Sequence, residues 1–272
     1  MRYPAVAGQF YERDPGALRK QIDGCYRHTI GPGGKPPVAK GGPRTLKGLV
    51  VPHAGYIYSG PVAAHAYAAL ARDGPPKSLV ILGPNHTGLG AAMALGAHDW
   101  ETPLGVATYD ADLGGRLLKG PITDDIIAHR HEHSIEVQLP FLQDLFGSVT
   151  FAPICMGLQE LRYAVEVGEI VREAIQGRDA VVIASTDFSH YIPKAEAARR
   201  DRMAIDRILV GDVKGFYRTI QEEDVSMCGF GPVIAMMTAV APAKPEFLKY
   251  ASSGDVAPME DVVGYAAIAM RR

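Results

Sequence analysis

Four near-continuous apolar runs, LKGLVVP at 46–52, SLVILGP at 78–84, TFAPICMG at 150–157 and DAVVIASTD at 179–187, constrain this chain more than anything else in it. A strand with one wet face alternates apolar and polar residues, whereas runs that are apolar throughout predict strands buried on both faces. Between them lie segments with helical apolar spacing. Helices are predicted at 61–73, 134–146, 159–175, roughly 194–210 and 231–240, with Ser134 as the cap of the second. Two more apolar strands, EFLKYASS at 246–253 and VVGYAAIAM at 262–270, follow. This order predicts an α/β fold whose largely parallel or mixed central sheet is covered by helices on both faces.

The 272 residues suit one such domain over 1–272, long enough for a sizeable core. Asp14-Pro15 predicts an N-cap and first helical residue for a helix over 16–30 that turns Cys25 to the core. The stretch Gly31 to Arg44 combines glycine, proline and lysine and predicts an exposed loop rather than a domain boundary. Lys and Arg number 28 against 30 Asp and Glu, so no broad basic field exists for nucleic acid or anionic lipid. No apolar stretch reaches the ~18 residues of a membrane span and no signal core follows Met1, so a cytoplasmic protein is expected. The three cysteines, Cys25, Cys155 and Cys228, form no CxxC pair, which argues against a disulfide framework.

Ligands of open α/β sheets bind beyond the carboxyl ends of the strands. The residues just past the predicted strands are therefore singled out: His53 after the first, His86 after the second, and Asp187 and His190 after DAVVIAS. One such histidine would be unremarked. Several imidazoles converging on one crevice suit a metal ion, because neutral nitrogen donors approach one another without charge repulsion. Cys228 precedes a helix with Pro232 in its first turn, where free amides would lower the thiol pKa toward thiolate, so it is expected to complete the site. A nucleophilic Cys228 with His190 as base and Asp187 as orienter is the rival arrangement. In His131-Glu132-His133, the i, i+2 spacing does not put both rings on one helix face; Glu132 and His133 are expected to orient ligand imidazoles or to bind a polar substrate edge. Gly55 is expected to permit a tight turn behind His53, and Tyr56 and Tyr58 to line the crevice. The run Arg199-Arg200-Asp201-Arg202 reads as a solvated helix face, and Cys155 as core.

Taken in order, AVAGQFY, VVPHAGYIYSGPVAAHAY, ILGPNHTG, EHSIEVQLPFL, STDFSHY, MCGFGP and GYAAIAM resemble the Memo family, whose prokaryotic members are called AmmeMemoRadiSam system protein B. The resemblance spans essentially the whole chain. It implies a fold similar to LigB-type class III extradiol dioxygenases, which hold non-haem Fe(II) with two histidines and a glutamate. It also implies that His53, His86 and Cys228 match the metal ligands, cysteine replacing glutamate, and that His190 matches the acid/base histidine, with Asp187 beside it in the same motif. A thiolate in place of the carboxylate makes the donor set softer, so copper is expected as readily as iron. The implied activity is a metal-dependent oxidoreductase acting on a small molecule; the alternative is a non-catalytic binding protein that uses a relic crevice. The family name implies radical-SAM companion proteins as partners.

Overall fold

The computed structural model describes residues 1–272. Its helices are α1 (Pro15–Arg27), α2 (Gly60–Asp73), α3 (Ala111–Leu117), α4 (Leu139–Phe146), α5 (Leu161–Ile175), α6 (Lys194–Leu209), α7 (Val213–Glu222) and α8 (Phe230–Val240). Its strands are β1 (Leu46–Val51), β2 (Ser78–Pro84), β3 (Met93–Leu95), β4 (Trp100–Thr102), β5 (Gly105–Tyr109), β6 (Thr123–Asp124), β7 (Thr150–Met156), β8 (Ala180–Ser185), β9 (His190–Pro193), β10 (Lys244–Ser252) and β11 (Asp261–Arg271).

The main sheet runs β10-β11-β1-β8-β2-β7-β3-β6. Its centre, β1-β8-β2-β7, is parallel, and these are the four apolar runs read from the sequence. Both flanks contain antiparallel pairs, β11 against β1 and β3 against β7, so the sheet is mixed. Successive residues of each central strand enter opposite cores, as side chains must when they alternate across a strand. Leu49, Val51, Leu79, Ile81, Val181 and Ile183 join one cluster of 37 buried residues; Val50, Val80, Leu82, Val182 and Ala184 join another of 36. The near-equal sizes explain why the runs show no polar alternation. No helix is long and apolar enough to cross a membrane.

Three local expectations change. The stretch from Met93 to Asp124, where periodicity predicts nothing, holds strands of two to five residues and α3, too short to leave a pattern. Ser134 is not a helix cap: its hydroxyl donates to the Pro84 carbonyl at 2.9 Å, and the chain makes a 3₁₀ turn at Glu136–Gln138 before α4 begins, with Pro140 in its first turn. Within the run on α6, Arg199 and Arg202 are exposed, but Asp201 is fully buried.

Candidate metal centre

His53, His86 and Asp187 each lie two residues beyond the end of a parallel strand, β1, β2 and β8. Adjacent parallel strands ending at one level deliver these side chains to one place. The loop ahead of α8 adds Cys228. The His53 and His86 ring nitrogens and the Cys228 sulfur lie within 4.8 Å of one another.

Each imidazole is fixed by its back nitrogen. The His53 Nδ1 lies 2.9 Å from the Ser185 hydroxyl, which donates its one hydrogen to the Ser134 carbonyl at 2.6 Å and accepts from the Gln138 amide at 2.8 Å. Nδ1 must therefore carry the proton, leaving Nε2 as a bare lone pair. That Nε2 lies 3.1 Å from the Cys228 sulfur. His86 is held by Glu132, whose carboxylate accepts Nδ1–H at 2.9 Å and the His86 backbone N–H at 2.5 Å, so its Nε2 is free as well. Glu132 also accepts the backbone N–H groups of His133 and Ser134, both at 2.8 Å. Burial alone would raise this carboxyl, but the bonds from His86 and the Ser134 amide and the nearby imidazoles hold it down at about 2. His86, Glu132 and His133 also form a tight group, but their acid is already saturated by these donors, which makes it an orienter of His86.

The His133 ring stacks on His86 with centroids 4.6 Å apart and meets the edge of His53 at 5.4 Å. Burial first, then the His133, His86 and His190 rings, push the His53 pKa well below its usual value. Burial likewise lowers His133 to about 4 against the pull of Glu132. Asp187 is buried and accepts the His53 backbone N–H at 2.8 Å; burial raises it to about 6, opposed by that bond, by His190 and His86, and by the Ala54 amide. His190 donates Nδ1–H to the Ser226 carbonyl at 2.7 Å, which again leaves Nε2 unengaged.

Cys228 differs from expectation. Burial, and then the charge of Asp187, push its pKa up rather than down. The helix-start amides do not offset this: Gly229 N–H donates to Thr186 Oγ1 at 2.9 Å and Gly231 N–H to Gln159 Oε1 at 2.8 Å, while the Asp187 N–H reaches the sulfur at 3.2 Å. Without a cation the group is a thiol. Its imidazole neighbour is His53, not the His190 of the nucleophile reading.

Tyr56 does not line the crevice. It is 3% exposed, its hydroxyl donates to the Val137 carbonyl at 2.6 Å, and its ring packs on Phe141 at 4.8 Å. The turn after His53 puts Tyr56 in the core while Ile57 and Tyr58 are exposed. Gly55 does not have a positive φ, and a β-carbon there would meet nothing nearer than 3.6 Å, so the turn after His53 does not depend on it. Sequence reasoning missed Ser185, Gln138 and Gln159. Ser185 and Gln138 orient His53, and Gln159 pins Cys228 by donating to its carbonyl at 2.8 Å. Only Ser185 left a signal, as a polar residue ending an apolar run.

The donor set fits an ion. Bonds of about 2.0–2.3 Å from nitrogen and sulfur to a central metal place tetrahedral donors roughly 3–4 Å apart, so the Cys228–His53 separation of 3.1 Å suits, and all three donors lie within 4.8 Å of one another.

The family described as Memo-like protein matches residues 2–269. A MEMO1 family protein of Methanopyrus kandleri is 51% identical over 283 residues, covering 100% of this chain and 99% of the relative. A MEMO1 family protein of Methanothermobacter thermautotrophicus is 48% identical over 277 residues, covering 98% and 99%. The crystal structure of an uncharacterized protein from Escherichia coli K12 superposes with a TM-score of 0.53 at 12% identity, covering 82% of this chain and 99% of that one, a likeness of fold.

Proposed function

Because the chain belongs to the Memo family, we propose that His53, His86 and Cys228 bind an iron or copper ion and that the protein is an oxidoreductase acting on a small molecule. One observation carries this reading: two imidazoles with their back nitrogens engaged turn their unpartnered Nε2 edges toward a sulfur. A purely structural histidine pair has no need of that alignment. The ion would supply Lewis-acidic and redox character.

The chain's own groups do the rest. Ser185 and Glu132 keep the ligand rings in one tautomer, so no rotation is required before binding. Cys228 releases its proton as it becomes a ligand, since a thiolate is the binding form. His190, with Nδ1 committed to Ser226, has one free nitrogen for taking or giving a proton. Asp187 joins the His53 main chain to the Cys228 loop and keeps a buried carboxyl at the same edge.

Oxygen uptake by iron- or copper-loaded protein with a panel of small reductants tests the reading. His190→Ala is expected to lower turnover by ~10²–10⁴-fold with metal content unchanged. Absence of uptake with either metal across the panel would contradict oxidoreductase activity.

A further inference from the structure

The turn that carries Asp187 and His190 is held by a buried acid outside the centre. Asp201, on α6, has no solvent exposure. One of its oxygens accepts both the Ser189 backbone N–H at 3.0 Å and the Ser189 hydroxyl at 2.6 Å; the other accepts the Tyr250 hydroxyl of β10 at 2.8 Å. Strand β11 closes the third side. Gly264 donates to the Ser189 carbonyl at 2.9 Å and accepts from the Phe188 N–H at 2.8 Å, and a β-carbon on Gly264 would lie 1.9 Å from Asp201 Oδ2. From the far side Ser226 takes the His190 backbone N–H on its hydroxyl at 2.7 Å and the ring Nδ1–H on its carbonyl. His190 thus sits between a clamp on the residue before it and a clamp on its own ring.

A turn does not need an acid for this. Burying a carboxylate costs several kcal/mol unless it is paired, and serine or asparagine serve as well in turns. Asp201 has no Lys or Arg partner; burial raises its pKa, opposed by its three hydrogen-bond donors from Ser189 and Tyr250. Asp187, His53, Tyr191 and Ser226 are the groups that face His190. Tyr191, the next residue, has φ +55°, a conformation a tyrosine keeps only where its surroundings impose it.

We propose that Asp201 is a positioning residue for the centre: through Ser189 it fixes the turn that presents His190. This rests on the reading of His190 as the proton carrier.

The test uses the full chain, metal-free and labelled with ¹⁵N-histidine, with ring cross-peaks assigned by His190→Gln. Asp201→Asn is expected to shift the His190 ring cross-peaks, which report tautomer and orientation, while those of His53 and His86 stay in place. Tyr250→Phe removes a bond to the same acid without touching the turn, and is expected to leave His190 where it is. A folded Asp201→Asn protein with unmoved His190 cross-peaks would overturn the proposal, as would equal shifts at His53 and His86. If Asp201→Asn does not fold, Ser189→Ala decides between the same two outcomes. Cobalt(II) added to each protein reads the metal site separately through thiolate charge-transfer absorption. Its absence in the wild type would sink the metal reading and leave the ring comparison intact.

Discussion

Glu132 holds both the ring and the main chain of His86: one buried carboxylate accepts Nδ1–H at 2.9 Å and the backbone N–H at 2.5 Å. The side chain and the strand end that delivers it are therefore positioned together. Replacing Glu132 with glutamine swaps an acceptor-only group for one with its own donors, and the four N–H groups facing it cannot all be satisfied. Metal affinity is expected to fall about 10–100-fold, the usual effect of losing a partner behind a ligand. Competition against a chromophoric chelator measures it, and unchanged affinity would remove Glu132 from the site.

Tyr56 distinguishes core from crevice. Tyr56→Phe is expected to cost about 1 kcal/mol of stability in denaturant titrations, through the lost bond to the Val137 carbonyl, and to leave metal affinity unchanged. Lowered affinity at unchanged stability would return Tyr56 to the crevice wall.

Arg2 and Glu136 are both buried and paired, and Glu136 also accepts from the Ala5 and Val6 amides and the Tyr11 hydroxyl. This acid ties the N-terminal segment to the stretch that supplies Glu132 and His133. Arg2→Met leaves the carboxylate without its cation and is expected to cost about 3–5 kcal/mol, read from the denaturant midpoint. A loss below about 1 kcal/mol, the range of surface pairs, would show the pair to be incidental.

His129 sets a pH dependence. Its ring is fully buried, Nε2–H donates to the Ala94 carbonyl at 2.9 Å, and Nδ1 has no partner. Burial lowers its pKa from 6.5 to about 4, against the Ala94 bond and the Glu132 and Asp125 charges and with the help of Arg2. Below pH 6.5 the unfolded chain takes up a proton that the folded chain refuses until about pH 4, so stability falls as pH drops through that window. The His129 share is about 3 kcal/mol at the low end. Denaturant titrations of wild type and His129→Gln from pH 7 to pH 4 isolate it, since His53 and His133 act in the same direction in both proteins. Equal slopes would contradict it.

Much of the fold was legible because β1, β2, β7 and β8 are buried on both faces and contain hardly a polar residue. The positions of His53, His86 and Asp187 followed from the same pattern, since each lies at the end of an apolar run or within two residues of it. The groups that orient them were not legible. Ser185 and Gln138 act through bonds across 47 to 132 residues of sequence, and Gln159 reaches Cys228 across 69. Asp201 sits among arginines that do face water, so its neighbours' pattern hid it. The raised pKa of Cys228 comes from its burial and the nearby Asp187, with the Gly229 and Gly231 amides bonded elsewhere, and a helix-start motif specifies none of this.

The most direct measurement is the transition-metal content of the full chain purified without chelators, wild type beside His53→Ala. About one iron or copper ion per chain is expected in the wild type, with a loss of at least tenfold in the variant, as removal of a direct ligand demands. Wild-type protein without stoichiometric metal under iron or copper supply, or equal content in the two proteins, would contradict a centre built on His53, His86 and Cys228.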